Sequence, residues 1–260
     1  YSSKQEYDKA IEYHNKALAI ELKALGAEHP DVATSYNNIG FNYNFIKEYD
    51  KAIEYHNKAL AIRLKVLGAE HPAVATSYNN IGLNYSSKQE HDKALEYNNK
   101  ALAIRLKALG AEHPDVATSY NNIGLNYNFI KEYDKAIEYH NKALAIRLKV
   151  LGAEHPDVAT SYNNIGFNYN FIKEYDKAIE YHNKALAIRL KVLGAEHPAV
   201  ATSYNNIGFN YNSKQEYDEA LEYNNKALAI RLKVLGAEHK DTQVSMKRVN
   251  EISLMRNNKK

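Results

Sequence analysis

The stretch from Asp50 to Gly68 carries its apolar and small residues with the three- and four-residue spacing of one helical face. The predicted buried face consists of Ala52, Ile53, His56, Ala59, Leu60, Arg63 and Leu67. Asp50 stands in front of this pattern as a predicted N-cap, and Gly68 follows it as the C′ residue that ends many helices. We call this predicted element helix B.

A second helical pattern precedes it, from Pro30 to about Phe45, and we call it helix A. Proline is tolerated in a first helical turn because its missing N–H would be unpaired there. Its inward stripe consists of Tyr36, Ile39, Gly40 and Tyr43. A glycine inside a helix costs up to about 1 kcal/mol, so we expect the partner helix B to approach the backbone closely at Gly40. Residues 46–49 form the predicted turn between the helices.

The pair of helices recurs every 42 residues. Two glycine series with this spacing contain every glycine of the chain: Gly26, Gly68, Gly110, Gly152, Gly194 and Gly236, and Gly40, Gly82, Gly124, Gly166 and Gly208. A fixed period of this size predicts stacked helix hairpins that bury a core only against their neighbours. We therefore expect an all-α solenoid of about twelve helices, with residues 1–260 forming a single domain.

The two ends of the sequence depart from the regular pattern. Residues 1–8 match the A/B turn at 85–92, so residues 1–25 should be a turn followed by an unpaired first helix B. Five A/B repeats should span residues 30–236, and a capping helix should span 240–256. In that helix Lys240, Asn250 and Ser253 replace the proline, the glycine and the tyrosine of helix A. The sequence begins with Tyr1 rather than methionine, so we expect a fragment or a processed product.

Composition excludes several classes of protein. The 34 basic and 31 acidic residues leave a net charge of +3, without the basic stripe typical of nucleic-acid binding. No apolar run approaches the ~18 residues of a membrane span. The absence of cysteine excludes disulfides, thiolate metal sites and a cysteine nucleophile, and it fits a reducing compartment. We expect a cytoplasmic protein that binds neither nucleic acid nor membrane.

The repeat resembles a known family. Its large aromatic, Leu-type, Gly, Tyr and Ala positions are similar to those of the tetratricopeptide repeat, at Tyr36, Ile39, Gly40, Tyr43, Tyr49, Ala52 and Ala59. Segments such as 59–75 resemble the 42-residue repeats of kinesin light chain and nephrocystin-type proteins. This resemblance implies a right-handed superhelix whose A helices line a concave groove. Lys47 stands where the family prefers glycine, which predicts a strained turn, and apolar Leu64 and Val66 predict an apolar ladder on the outer surface.

The resemblance also implies that residues of helix A beside its buried stripe face the groove and bind peptides. The candidates are Asn37, Asn38, Phe41, Asn44, Asn79, Asn80, Leu83, Asn121, Asn122, Leu125, Asn128, Asn163, Asn164, Phe167, Asn170, Asn205, Asn206, Phe209, Asn212, Lys247 and Arg248. Amide side chains carry donors and acceptors together, so an asparagine ladder could pair with the backbone of an extended peptide. Alternatively, Asn37 and Asn38 bond with each other and with water, and hold adjacent A helices in register.

Charge is scarce on this predicted face. The Lys and Arg residues with which related repeats bind a terminal carboxylate are missing, since Thr34 and Asn37 stand at those positions. Lys247 and Arg248 in the last unit could anchor an acidic end of a ligand. The alternative is that they are solvated charges of a capping helix.

The histidines and the rest of the sequence give no catalytic or metal site. His29 and its equivalents recur one per loop, which predicts a loop-packing role rather than metal binding. His14, His56, His140 and His182 lie on the predicted buried face, where Asn98 and Asn224 occupy the same position, so we expect a polar contact there. No nucleophile with a base, phosphate-binding glycine loop or pair of carboxylates is present. We expect no enzyme, no cofactor and no metal.

These observations predict a scaffold that binds peptide segments of partner proteins in a concave, asparagine-rich groove. Two alternatives remain open. The chain could be a structural module that assembles head to tail, with weak homo-oligomerisation through its open terminal helices. It could also be a sensor or spacer segment of a larger protein.

Overall fold

The computed structural model describes residues 2–259, and this span is helical with short connections. The helices are α1 Ser2–Leu25, α2 Pro30–Phe45, α3 Tyr49–Leu67, α4 Pro72–Ser87, α5 His91–Leu109, α6 Pro114–Phe129, α7 Tyr133–Leu151, α8 Pro156–Phe171, α9 Tyr175–Leu193, α10 Pro198–Ser213, α11 Tyr217–Leu235 and α12 Lys240–Asn258. They form two compact units, which divide after Lys131. Unit 1 contains α1–α6 and unit 2 contains α7–α12. The predicted all-α repeat of about twelve helices is confirmed within the described residues.

Helix A begins at its proline, as predicted, and a histidine caps it. In α2 the backbone N–H of Asp31 donates to His29 Nδ1 at 3.2 Å. The same bond recurs at His71, His113, His155, His197 and His239. The histidine thus satisfies one of the unpaired N–H groups of the first turn, which is a more specific role than the loop packing we predicted.

Helix B starts two residues earlier than its sequence pattern indicates. α3 begins at Tyr49, and its N-cap residue Glu48 makes no side-chain capping bond. The prediction of Asp50 as N-cap is therefore wrong. Its carboxylate lies inside the first turn, where a negative charge still interacts favourably with the helix dipole. Gly68 ends the helix with φ +83°, as expected for a glycine C-cap.

The turn from helix A to helix B holds a non-glycine residue in the left-handed region, as the departure at Lys47 predicted. Positive φ values of 61–64° occur at Lys47, Gln89, Lys131, Lys173 and Gln215. Carbonyls of the preceding A helix hold these turns closed, for example through Lys47 N–H to Asn44 O at 2.9 Å.

The first helix lacks such a turn. α1 is already helical from Ser2, so the turn predicted for residues 1–8 is wrong over its described part, and Tyr1 lies outside the described residues. In the described part of this stretch the turn's hydrogen bonds to A-helix carbonyls are not formed, and a left-handed residue without them costs about 1–2 kcal/mol. The backbone therefore continues the helix.

Each layer of the core is formed by one B helix together with the A and B helices that follow it in the chain. In unit 1 one cluster contains Leu18, Val32, Ala33, Ile39, Ala59 and Ile62. In unit 2 the matching cluster contains Leu144, Val158, Ala159, Ile165, Ala185 and Ile188. Half-buried tyrosines complete the layers, as where Tyr43 stacks on Tyr55 with ring centroids 5.3 Å apart.

The outer apolar ladder is only partly present. Leu64 and Leu190 pack against core clusters, so the prediction that these leucines are exposed is wrong. The valines two residues later do form an exposed series, at Val66, Val150, Val192 and Val234. Residues 64 and 66 are separated by about 200° around the helix, so the leucine lies beside the buried face whereas the valine lies on the outer side.

Candidate functional site

The A helices present a row of exposed apolar side chains. In unit 1 these are Phe41 and Leu83, each 39% exposed, and in unit 2 they are Phe167 and Phe209, 39% and 45% exposed. We call the surface formed by α2, α4 and α6 in unit 1, and by α8, α10 and α12 in unit 2, the A-helix face. Between residues 32 and 45 the sequence of α2 contains no charged residue. Apolar side chains on this surface are therefore not covered by local ion pairs.

Asparagine amides pair between neighbouring A helices. Asn80 Nδ2 donates to Asn37 Oδ1 at 2.9 Å, and Asn122 Nδ2 donates to Asn79 Oδ1 at the same distance. Asn206 and Asn163 repeat the bond in unit 2. Asn80 is only 4% exposed. The pairing matches the register role that the sequence left open, although it joins amides of successive repeats rather than neighbours in one helix.

A second row of amides extends this network. Asn44 Nδ2 donates to Asn84 Oδ1 at 2.8 Å, and Asn84 Nδ2 donates to the carbonyl of Asn80. Asn170 and Asn210 make the equivalent pair at 2.6 Å. Asn84 and Asn210 were not among the predicted site residues. They recur at the Asn42 position of the 42-residue period, and this recurrence was the available signal.

The other predicted amides lie on the same face. Asn38, Asn121, Asn128, Asn164, Asn205 and Asn212 are half-buried, as is Leu125. Asn121, Asn128 and Asn164 have interaction partners. The Oδ1 atoms of Asn205 and Asn212 are buried without a hydrogen-bond partner. The face therefore combines paired amides with a few unsatisfied acceptors.

Buried histidines of helix B lie beneath the row of apolar residues. His56 is fully buried against Gly40, and the ring of Phe41 meets it edge-on at 5.3 Å. His182 and Phe167 repeat this contact. Neither ring nitrogen of His56, His140 or His182 has a hydrogen-bond partner, so the expected polar contact is wrong. Burial lowers the pKa of each of the three histidines to about 4.

In the other repeats, the residues at the His56 position differ in burial and in hydrogen bonding. Asn98 has no partner for either amide atom, whereas Asn224 donates to the carbonyl of Ala220 at 2.7 Å. His14, on α1, is half-buried rather than buried. The position therefore selects for a side chain that fits against the glycine backbone rather than for a hydrogen bond.

Each unit has a cavity on its A-helix face. The cavity of unit 1 measures about 270 Å³ and is lined by Phe41, Asn44, Asn80, Leu83, Asn84, Ser86 and Ser87. The cavity of unit 2 has the same volume, about 270 Å³, and is lined by Phe167, Asn170, Phe171, His182, Asn205, Asn206, Phe209, Asn210 and Arg248. Both lie near the lower end of the ~300–1,000 Å³ of ligand pockets. The structure thus brings predicted residues together around two sites, each of which fits about one side chain.

Lys247 and Arg248 differ in their surroundings. The side chain of Lys247 is 79% exposed and lies 3.8 Å from Glu251. Arg248 is half-buried and lines the cavity of unit 2, with its guanidinium carbon 6.0 Å from the centre of the Phe209 ring. The interpretation as a solvated charge thus fits Lys247, whereas Arg248 lines the cavity of unit 2.

Within 2–259, no cluster of three or more His, Asp or Glu side chains is arranged to hold a metal ion. No helix in the same span has both the length and the apolar character needed to cross a membrane.

Comparison with known proteins places these observations in context. The family model described as tetratricopeptide repeat matches residues 1–65, 35–107, 87–149, 115–191 and 157–233. No curated protein sequence matches the chain.

Several solved structures are similar to this one. Nearly identical TPR-like repeats of a kinesin light chain-like protein from Podosopora anserina are 26% identical, with a TM-score of 0.71, over 80% of this chain and 98% of that chain. BtubC (BKLC) from P. vanneervenii is 21% identical, with a TM-score of 0.74, over 91% of this chain and 92% of that one. The apo form of RapI is 19% identical, with a TM-score of 0.67, over 97% and 92% of the two chains.

Proposed function

Because the chain belongs to the tetratricopeptide repeat family, whose model matches it from residue 1 to residue 233, we propose that it is a scaffold that binds extended peptide segments of partner proteins. The binding surface in this proposal is the A-helix face. Tetratricopeptide repeats generally mediate protein–protein interaction, and the two cavities on this face supply places for side chains of a ligand.

The observation that carries the proposal is the exposed apolar row. Leu83 and Phe209 recur at one position of helix A and are 39% and 45% exposed. Exposed apolar side chains grouped on a surface with amide donors and acceptors usually mark a binding site. The paired asparagines give this surface a fixed spacing between helices, so a ligand would meet a preorganised site.

Peptide affinity in this site comes mainly from apolar contacts and only secondarily from the amides. The donor atoms of Asn80 and Asn206 are engaged with neighbouring helices. Their second functional atom, the carbonyl oxygen, can accept an N–H of a peptide backbone. The predicted site residues therefore remain in the proposed binding surface, but the apolar side chains contribute more of the affinity than the amides do.

Head-to-tail assembly is the less favoured alternative. A second copy that continued the stack would place its α1 against α12, where Asn250 stands at the position of Gly40. A Cβ at Gly40 would lie 2.8 Å from the His56 ring, and His14 occupies the position of His56 in α1. The side chain of Asn250 would therefore clash with the arriving helix.

A peptide-capture experiment tests the proposal. Immobilised full chain is incubated with a random heptapeptide pool, and bound peptides are counted by mass spectrometry. Leu83→Ser together with Phe209→Ser removes an apolar side chain from each cavity, so capture should fall at least about fivefold. Val66→Ser with Val192→Ser is the matched control, because these valines are 45% and 46% exposed on B helices. Equal loss in both variants, or no capture by the unaltered chain, would contradict the proposal.

A further inference from the structure

Helix α1 has two apolar sides, and one of them is exposed. On the first side Leu18 is buried in the core of unit 1, where it packs with residues of α2. On the second side Tyr13 and Ile20 are 68% and 69% exposed. We call this second side the α1 face, and it consists of Ala10, Tyr13, His14, Ala17 and Ile20.

Every residue of the α1 face recurs 42 residues later in α3. The equivalent residues there are Ala52, Tyr55, His56, Ala59 and Ile62. In α3 this surface packs against α2, and Ile62 is 9% exposed, against 69% for Ile20. The α1 face is therefore a full copy of a surface whose partner is present elsewhere in the same molecule.

The contacts between α2 and α3 show what kind of helix such a surface binds. The ring of Tyr55 stacks on Tyr43, with centroids 5.3 Å apart, and lies 6.0 Å from the ring of Tyr36. Ile62 packs in one cluster with Ile39. The partner helix thus presents an aliphatic residue between two aromatic rings, three residues after the first and four before the second.

The partner helix must also carry glycine directly after its aliphatic residue. A Cβ at Gly40 would lie 2.8 Å from the His56 ring. Where asparagine replaces that histidine, a Cβ at Gly82 would still lie 3.3 Å from the backbone carbonyl of Ala94, and a backbone atom cannot rotate away. Ala10 holds the position of Ala94 in α1. Movement of the His14 side chain alone would therefore not make room for a larger residue.

The charges beside the α1 face are already paired within α1. Lys16 Nζ lies 2.5 Å from Glu12, and it also lies over the Tyr13 ring, 5.2 Å from its centroid. Glu54 and Lys58 form the same pair in α3. Because this charge is neutralised locally, a helix without charged residues along its stripe suits the face. The α2 helix has this character between residues 32 and 45.

We propose that the α1 face is a docking site for an A-type helix of a second polypeptide. An A-type helix is defined here as an uncharged stripe of the form aromatic-x-x-aliphatic-Gly-x-x-aromatic. The docked helix would form a hairpin with α1, as α2 does with α3. This site takes a helix rather than an extended segment, and it lies outside the A-helix face, so it does not depend on the proposed function.

A second copy of this chain does not supply such a helix through its α12. Met246, Asn250 and Ser253 stand at the positions of the first aromatic residue, the glycine and the second aromatic residue. The stacking partner of Tyr13 would be absent, and the Cβ of Asn250 would enter the space that only glycine leaves free. The occupant is therefore a different polypeptide.

Three fluorescently labelled peptides of equal length test the chemistry of the occupant. The first has the sequence of residues 29–45, which includes the capping residue His29. The second differs from it only by Gly40→Asn, and the third has the sequence of residues 239–255 from α12. Asparagine favours a helix more than glycine does, so weaker binding of the second peptide would not come from weaker helix formation. Binding to the full chain is measured by fluorescence anisotropy.

Double variants of the full chain locate the site. Tyr13→Ser with Ile20→Ser alters the α1 face, and since both side chains are exposed the fold should stay intact by circular dichroism. Val66→Ser with Val192→Ser is the matched control, because it removes two exposed apolar side chains from other B helices. The variant of the A-helix face described above is a second control.

We expect the first peptide to bind the unaltered chain at least about tenfold more tightly than either of the other two. Tyr13→Ser with Ile20→Ser should weaken its binding at least about tenfold, and the valine variant should leave it unchanged. Equal affinity of the first two peptides, or affinity that survives in the α1 variant, overturns the inference. Absence of binding by the first peptide at up to about 1 mM also overturns it.

The variant of the A-helix face separates this inference from the proposed function. If Leu83→Ser with Phe209→Ser abolishes binding of the first peptide and the α1 variant retains it, the peptide lies on the A-helix face. That result overturns the inference and supports the proposed function. If only the α1 variant loses the peptide, the α1 face is the docking site, whatever the A-helix face binds.

Discussion

The backbone of Gly40 lies directly against the imidazole of His56. A Cβ added to Gly40 would come within 2.8 Å of His56 Cε1 and within 2.9 Å of both ring nitrogens. Gly166 and His182 repeat this relationship in unit 2. The mid-helix glycine and the buried histidine are therefore two halves of one packing contact between the helices of a hairpin.

Replacing this glycine with alanine should destabilise the hairpin. Alanine gains about 1 kcal/mol of helix propensity over glycine, but its methyl group would overlap the fully buried His56 ring, which must shift to admit it. We expect Gly40→Ala to lower the unfolding free energy by about 1–3 kcal/mol in urea denaturation. The double variant Gly40→Ala with His56→Ala should recover much of this loss, and simple additivity of the two effects would contradict the contact.

Acid should destabilise the protein through the buried histidines. Their pKa falls from 6.5 to about 4 because burial disfavours the charged form. Each histidine is neutral in the fold and gains a proton on unfolding, so its contribution is fully present above pH 6.5 and is lost as the pH falls towards 4. The loss amounts to on the order of 3 kcal/mol per histidine.

The measurement is the urea midpoint between pH 7 and pH 4. A variant with asparagine at His56, His140 and His182 is the control, because Asn98 and Asn224 already occupy this position in two repeats. Its midpoint should depend less steeply on pH. Identical slopes for the two proteins would show that other groups cause the acid loss.

Glycine should be accepted in the A/B turns. Lys47 and Lys173 both have φ 64°, and glycine adopts this region without the side-chain strain that costs about 1–2 kcal/mol. The greater chain entropy of glycine offsets part of that gain, so each substitution should stabilise by up to about 1 kcal/mol. Ala61→Gly, at an exposed position inside α3, should instead destabilise by about 1 kcal/mol. In thermal unfolding, the glycine variants of the turns should have a higher midpoint than the unaltered protein, and Ala61→Gly should have a lower one.

The amide pair of Asn79 and Asn122 should contribute to stability without any ligand. Removing one partner leaves the other buried amide unsatisfied, which costs about 1–3 kcal/mol. A double-mutant cycle with Asn79→Ala and Asn122→Ala should therefore give a coupling energy of about 1 kcal/mol. The exposed Asn57→Ala should change stability by less than about 0.5 kcal/mol. A coupling of zero would mean that the register role is absent.

Local sequence patterns predicted most of the fold. The proline at position 30 and the glycine at position 68 mark the ends of α2 and α3 within a residue or two, because backbone chemistry at helix ends depends on the residue itself. The 42-residue period identified the repeat, and the glycine in mid-helix indicated a close neighbour. Even the strain at Lys47 followed from a local departure from the family pattern.

The site was predicted less completely. Sequence placed the asparagines, phenylalanines and Arg248 on one face, and in each unit some of these residues line a cavity. It did not decide what each amide bonds, because an asparagine offers the same donor and acceptor to a peptide, to water or to a neighbouring helix. The helix start at Ser2 and the unpaired imidazole of His56 were likewise mispredicted, since both depend on what lies beside them.

By itself, then, the sequence determined the helices, their repeat and the family, because helix ends and periodicity are properties of residues close together in the chain. Only the tertiary structure decided that Asn80 pairs with Asn37 across 43 residues and that Arg248 lines a cavity against the ring of Phe209. The physical reason is that hydrogen bonds and ion pairs act over about 3–4 Å. Which groups come within that distance is fixed by the packing of the helices, so residues that are close together in the chain do not reveal it.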